Sequence, residues 1–226
     1  MGCRHGQPLI VKVVTSEAER NSEKLMIETM ALKLHNMPSV SLVPAQVEEI
    51  VVEGTYGPVK GHTCIISPLY STTVAKLQHV LTVDTLIVGG FKIRATLEEV
   101  HRHGLVHMDV KPSNIVVDHD GKWLLGDYGS CVKIGQNIHS CSHPYLPVNV
   151  LKRKTMTHPG FDFFMLASSL VSLATDLIQI VRIDERLTDV EKLKNCLCSV
   201  QNGEFQVFVT ELLEEYDKFC KENKCQ

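Results

Sequence analysis

At 226 residues, with 44% hydrophobic and 22% charged residues, the chain is long enough to bury the core of one large domain or two small lobes. A formal charge of −3 excludes the broadly basic face of a nucleic-acid-binding protein, and the densest basic run, "LKRKTMTH", reads as a solvated loop. Eight cysteines are too sparse for a disulfide scaffold and "MGCRHGQPLIVKVV" carries no secretory signal, so a cytoplasmic or nuclear, non-secreted setting with free thiols is expected.

The opening "MGC" offers the glycine and cysteine of an acylation site, but Gly6 stands where that pattern requires Ser or Thr. "PLIVKVV" is short, β-branched and apolar, and reads as a strand with Lys12 near its end. In "SEAERNSEKLMIETMALKLHNMPSV" the residues Met26, Met30, Ala31 and Leu34 recur at helical spacing, and Pro38 stops the helix. Glu28 lies on the flank of that apolar stripe. Glu17, Glu19 and Glu23 precede it and are expected to face solvent. "VEEIVVEGTYGPVKGHTCIISPLY" gives two strands, with Gly54 and Gly57 as turn glycines between them.

"VDTLIVGGFKIRATLEEVHRHG" is a longer helical stretch, interrupted or started near Gly89-Gly90 and ended at Gly104. "NIVVD", "HDGK" and "WLLGD" follow, and Asp120-Gly121 between two apolar runs is a strong hairpin signal. The polar stretch from Gly129 to about Pro147 reads as a loop. The most apolar segment, Phe161 to Val181, approaches a bilayer in length, but Asp162 and Asp176 would each cost roughly 2.5–3.5 kcal/mol at a membrane centre. It is expected to be a core helix, with no membrane partner. The last fifty residues or so read as helices broken at "QNGEF". The order predicts an α+β fold, sheet-rich before residue 70 and helical after it.

The chemistry concentrates in "LVHMDVKPSNIVV", residues 105 to 117. Phosphoryl transfer from a nucleotide needs a cation on the phosphates, oxygen ligands for magnesium and a base beside the attacking hydroxyl. Asp109 fits the base. Lys111, two residues on, can neutralise the transferred group. Asn114 and Asp127 are oxygen ligands of the type Mg²⁺ prefers, and the hairpin "NIVVDHDGKWLLGD" runs back antiparallel from Gly121, bringing them close.

"HMDVKPSN", with "DYG" thirteen residues beyond Asn114 and "VKVV" upstream, resembles the eukaryotic protein kinase family, whose pattern is His-Arg-Asp-x-Lys-x-x-Asn, then Asp-Phe-Gly, with a strand Lys and a helix Glu. The resemblance runs from about Leu9 to Thr175. It implies a two-lobe fold: a reduced N-lobe over 1–70, without the first two strands and the glycine-rich loop, and a shortened helical C-lobe over 71–226. It implies ATP and Mg²⁺ as cofactors and a protein substrate, with Lys111 favouring Ser/Thr acceptors. Residue by residue, Lys12 resembles the lysine on the α/β-phosphates and Glu28 its ion-pair partner. "CIISPLY" resembles the strand entering the hinge, where Ser67 C=O and Leu69 N–H would face adenine and Pro68 falls where no donor is required. Asp162 resembles the aspartate that holds the catalytic-loop backbone.

The departures are specific. Met108 replaces an Arg that grips a loop phosphate in the family, so activity independent of loop phosphorylation is expected. Tyr128 for Phe adds a hydroxyl that needs a partner. Eleven residues before Lys12 are too few for two strands and a glycine loop, and "EGTYG" lies on the wrong side of Lys12 and Glu28 to replace it. "HPYLPVNV" stands in place of the Ala-Pro-Glu element without its Glu. A divergent or N-terminally truncated kinase domain is the expectation. His101, His103, His107, Cys131, Cys141 and His143 lack the paired spacing of a zinc site, and His107 reads as a packed support for the loop. Three function classes follow: an active Ser/Thr kinase, a pseudokinase acting as a binding scaffold, and a metal- or partner-binding helical module that merely borrows the fold.

Overall fold

The structure is a computed structural model that describes residues 2–4, 7–34, 40–54, 57–138, 142, 145–147, 150, 155–175 and 188–222. Strands β1 (Gly2–Arg4), β2 (Gln7–Val13), β3 (Gln46–Gly54) and β4 (Gly57–Pro68) form one antiparallel sheet in the order β1-β2-β4-β3. The β3–β4 hairpin closes on a Gly54↔Gly57 pair, as the turn glycines predict, with a register shift between Ile50 and Val52. The edge strand β1 was not expected: it pairs Gly2 with Leu9 and Arg4 with Gln7, and three residues are too short to show a period-2 pattern.

Helix α1 (Glu17–Leu34) packs beside this sheet with Met26 and Met30 buried. Beyond the sheet come β5 (Thr72–Thr73), a 3₁₀ turn over Val74–Val80, and α2 (Val83–Arg102), whose N-cap Thr82 accepts from Thr85 N–H at 3.2 Å. Gly89 and Gly90 neither start nor interrupt α2. A β-carbon on Gly89 would come within 2.4 Å of the Trp123 indole, and one on Gly90 within 2.6 Å of the Phe208 ring. The pair lets neighbouring aromatics approach the helix backbone, which outweighs its low helix propensity. The helix ends where Gly104 takes φ +78°.

Strands β6 (Leu105–Val106) and β9 (Val132–Lys133) pair with each other, while β5, β7 (Ile115–Val117) and β8 (Trp123–Leu125) form a second small sheet. The β7–β8 turn is the expected one, with Gly121 at φ +80° and Asp118 Oδ1 accepting from the Asp120 and Lys122 N–H groups.

Helix α3 (Pro159–Thr175) is the core of the second half, and every residue from Gly160 to Leu173 is buried. A helix apolar all round belongs inside a domain, and α3 lies between α2 and α5 (Gly203–Glu222), with α4 (Asp189–Leu197) capped by a Thr188/Glu191 box. The described part of the predicted long apolar helix ends at Thr175, so Asp176 to Val181 lie outside the described residues. Among the described residues no helix is long and apolar enough to cross a membrane. The break between α4 and α5 falls at the predicted "QNGEF", where Asn202 Oδ1 accepts from Phe205 N–H at 2.9 Å.

Candidate active site

The segment after β6 is held from beneath by α3. Asp162, fully buried in the first turn of α3, accepts from the His107 and Met108 N–H groups at 2.8 Å each, and its Oδ2 lies 2.8 Å from His101 Nε2. Met108 takes φ 64°, a left-handed conformation costing a bulky residue roughly 1–2 kcal/mol, and the two bonds to Asp162 hold it there. Its side chain is buried in the apolar core. His107 is also buried, and burial pushes its imidazole below the ordinary histidine range, so it stays neutral. Its Nδ1 accepts from Asp109 N–H at 3.3 Å and its ring meets Tyr128 edge-on.

Asp109 is thereby fixed at both ends. Its Oδ2 accepts from Lys111 Nζ and from Asn114 Nδ2, each at 2.8 Å, and Asn114 Nδ2 also donates to the Asp109 carbonyl at 2.9 Å. Asp109 Oδ1 is buried and has no hydrogen-bond partner among the described residues, an arrangement native proteins rarely leave without a purpose. Lys111 Nζ also donates to Ser142 Oγ at 2.6 Å. Ser142 escaped the sequence reading, because nothing local distinguishes one serine in a polar loop; its contact depends on the loop folding back across 31 residues.

The β7–β8 register pairs Ile115 with Leu125, and Gly126 N–H donates to the Asn114 carbonyl at 2.9 Å. Asn114 and Asp127 therefore sit one and two steps beyond the ladder, and both line the same cavity. With the Asn114 amide hydrogens engaged by Asp109, its oxygen is the atom left for a ligand. Asp127 takes φ 61° just after β8. The Tyr128 hydroxyl donates to the Val43 carbonyl at 2.5 Å, with the Leu125 carbonyl 3.2 Å away, and burial pushes its pKa well up.

Across the cavity stands Lys12. Its Nζ lies 2.6 Å from Asp127 Oδ1, 3.0 Å from Glu23 Oε1 and 2.8 Å from Glu19 Oε1. Burial works against the ammonium charge, but the bonds to Asp127 and Glu19 and the charge of Glu23 outweigh it and raise the lysine above its ordinary range. Asp127 is lowered: burial opposes its charge, and the Lys12 hydrogen bond overcomes that. Glu23 is raised, because its burial exceeds what Lys12 returns.

Two expectations are corrected here. The helix partner of Lys12 is Glu23, not Glu28, which is exposed on α1. At about 100° per residue, Glu19, Glu23, Met26 and Met30 form one stripe, whereas Glu28 lies some 140° round from Glu23. Glu23 is 1% exposed: contrary to the expectation that it faces solvent, the buried face of α1 begins ahead of the first methionine. The second correction concerns the hinge. Leu69 N–H donates to the Pro8 carbonyl at 3.0 Å, and Val14 N–H donates to Thr63 O at 2.9 Å. With the alternation of an antiparallel ladder, these bonds put Ser67 in a hydrogen-bonded pair with Ile10. The backbone groups assigned to adenine at Ser67 and Leu69 are thus engaged by β2, because β4 continues to Pro68.

Lys12, Glu23, Asn114 and Asp127 all line one cavity of about 430 Å³, whose apolar walls include Ile10, Val43, Ala45, Ile65 and Val116. Ser67, Leu69 and the following Tyr70 and Ser71 also line it. Of the residues weighed for zinc, His101 is held by Asp162, Cys131 is buried with its thiol pushed up by burial, and Cys141 and His143 lie outside the described residues. Among the described residues, Glu19, Glu23 and Asp127 bring carboxylate oxygens within 4.8 Å of one another around Lys12.

Sheet, core helix and polar cleft together define a protein kinase fold. The family model "Protein kinase domain" matches residues 3–220, and the chain belongs to that family. It is 30% identical to chicken (Gallus gallus) serine/threonine-protein kinase greatwall over 82 residues, which is 36% of this chain and 8% of that protein. It is 46% identical to human (Homo sapiens) myotonin-protein kinase over 43 residues, 19% of this chain and 7% of that one. The matched stretches are thus under a tenth of these relatives' length. Among solved structures, the Cydia pomonella granulovirus kinase PK-1 superposes with a TM-score of 0.67 at 14% identity, covering 96% of this chain and 85% of that one. Vaccinia related kinase 3 gives 0.66 at 11% identity, covering 96% and 80%. At these identities the likeness is one of fold.

Proposed function

We propose that this kinase-family chain binds ATP with Mg²⁺ in the cleft between the sheet and the helices, and transfers the γ-phosphate to a Ser or Thr of a protein substrate. The observation that carries the reading is Asp109: one carboxylate oxygen held by Lys111 and Asn114, the other buried and without a partner among the described residues. An acceptor hydroxyl would complete that carboxylate by donating to Oδ1, once the side chains covering that oxygen move aside for the substrate. As the hydroxyl oxygen bonds to the γ-phosphorus, its proton passes to Oδ1 and the bond to the ADP leaving oxygen breaks. Lys111, 2.8 Å from Oδ2, offsets the negative charge that builds beside it. Asp162 keeps the loop backbone from shifting while this happens.

Lys12 would orient the phosphates from the sheet side. Asn114 and Asp127 suit Mg²⁺, since both offer oxygen at the mouth of one cavity; bound there, the ion would neutralise charge on the phosphates. The adenine would rest between Ile10, Val43, Ala45 and Val116 rather than on the Ser67 and Leu69 backbone.

A second reading, a pseudokinase that binds a partner without turnover, is favoured by one observation: the β2 pairing that occupies the Leu69 amide. A thermal-shift titration tests the proposal. ATP with Mg²⁺ is expected to raise Tm, by mass action on the folded state, and a flat Tm at saturating nucleotide would count against both nucleotide binding and turnover.

A further inference from the structure

We propose that Glu19 is a displaceable counter-ion standing where a nucleotide phosphate would meet Lys12, so that the cleft admits nucleotide as its metal complex and discriminates against the free anion. The inference rests on the nucleotide reading of the cleft. A lysine ammonium has three N–H groups and no acceptor. Three carboxylate oxygens, from Glu19, Glu23 and Asp127, crowd within 3.0 Å of Lys12 Nζ, as many as the ammonium has N–H groups. A phosphate can reach that nitrogen only if one of them leaves.

The three are not equally free to do so. Glu23 is 1% exposed and sits on the buried stripe of α1, so losing Lys12 would strand a carboxylate in the interior. Asp127, although its side chain is 43% exposed, makes the shortest of the three contacts at 2.6 Å on a short side chain, and it follows a peptide pinned through Gly126 N–H to the Asn114 carbonyl. Glu19 lies in the first turn of α1 with its side chain 32% exposed, and it can swing into water at small cost.

Its present position is nevertheless built. A β-carbon at Gly129 would fall 2.8 Å from Glu19 Cγ and 3.1 Å from Oε1, so the carboxylate reaches Lys12 across a backbone that only glycine leaves open. One ammonium against three carboxylates makes the phosphate end of the cleft net negative. A bare polyphosphate meets repulsion there, and a divalent cation reverses its sign.

The experiment measures the Kd of ADP by calorimetry, in EDTA and in Mg²⁺, for the wild-type chain, Glu19→Gln and Glu17→Gln. Glu17 is exposed on the same turn, so its variant removes an equal charge away from Lys12. Glu19→Gln is expected to tighten metal-free ADP about tenfold and Mg²⁺-ADP distinctly less, with Glu17→Gln close to wild type. Labelling of Lys12 by trinitrobenzenesulfonate, followed by peptide mass spectrometry, is expected to quicken in Glu19→Gln alone. Equal affinities in all three proteins, or the same gain from Glu17→Gln, would overturn the role of Glu19 while leaving the nucleotide reading intact. No Mg²⁺-ADP binding by any of the three would remove the nucleotide reading and this inference with it.

Discussion

On the helical side of the cleft, Asp109 is placed by buried backbone: Asp162 gathers the N–H groups of His107 and Met108, and Asn114 clamps both the carbonyl and the carboxylate of Asp109. On the sheet side, the Lys12 ammonium, on a side chain 34% exposed, is held by three carboxylates rather than by buried backbone. The first wall is rigid whether or not a ligand is present, because breaking it leaves buried donors unpaired. The second can exchange one anion for another at little cost. A kinase needs that division: the base must stay fixed while the phosphate grip opens and closes.

The comparison breaks first at Asp162. Asp162→Ala would orphan two buried N–H groups and His101, and is expected to cost at least about 3 kcal/mol. For a chain of this size that is a fall in Tm of roughly 6–12 °C, readable by calorimetry; an unchanged Tm would mean the loop is held by something else. Next, Glu23→Gln is expected to slow phosphate transfer about 10- to 100-fold while Glu28→Gln leaves it unchanged. Loss of rate in the Glu28 variant and not in the Glu23 variant would reverse the assignment made from α1.

Smaller effects sharpen the same contrast. Tyr128→Phe removes the hydroxyl from the Val43 carbonyl and is expected to cost about 1 kcal/mol in urea unfolding, with little change in nucleotide affinity. The smallest is a pH effect on the charged wall. Asp127 is lowered in the folded state, so its contribution is complete above the unfolded value near 3.8 and is lost as pH falls through the lowered folded one. Lys12 is its mirror, contributing fully below 10.5 and losing that contribution only as pH rises through its raised folded value. Asp127→Asn should therefore flatten the acid limb of the stability curve. The change is small because the Asp127 side chain is 43% exposed.

What could be read from the residues alone follows the same line between local and distant. The loop from His107 to Asn114 and the hairpin to Asp127 are short-range: spacing, a β-turn and an antiparallel ladder suffice to bring Asp109, Asn114 and Asp127 together. α3 was legible because fourteen consecutive buried positions leave no polar face. The errors sit where helix phase or strand length decides. Choosing Glu28 over Glu23 required knowing which face of α1 meets β2. Assigning Ser67 and Leu69 to adenine required knowing that β4 runs on to Pro68 and engages them with Ile10 and Pro8. Gly89-Gly90 looked like a boundary because propensity was weighed without the Trp123 and Phe208 rings that fill the space. Ser142 reaches Lys111 through a fold-back that no local pattern announces.

The central claim is that Asp109 serves as the base of a phosphoryl-transfer site, and label transfer tests it most directly. With γ-³²P-ATP, Mg²⁺ and a generic basic protein as acceptor, the wild-type chain is expected to incorporate label. Asp109→Asn, which keeps the shape and removes the base, is expected to lose at least about 10²-fold of that rate with its Tm near wild type. Equal incorporation by both proteins would contradict the assignment.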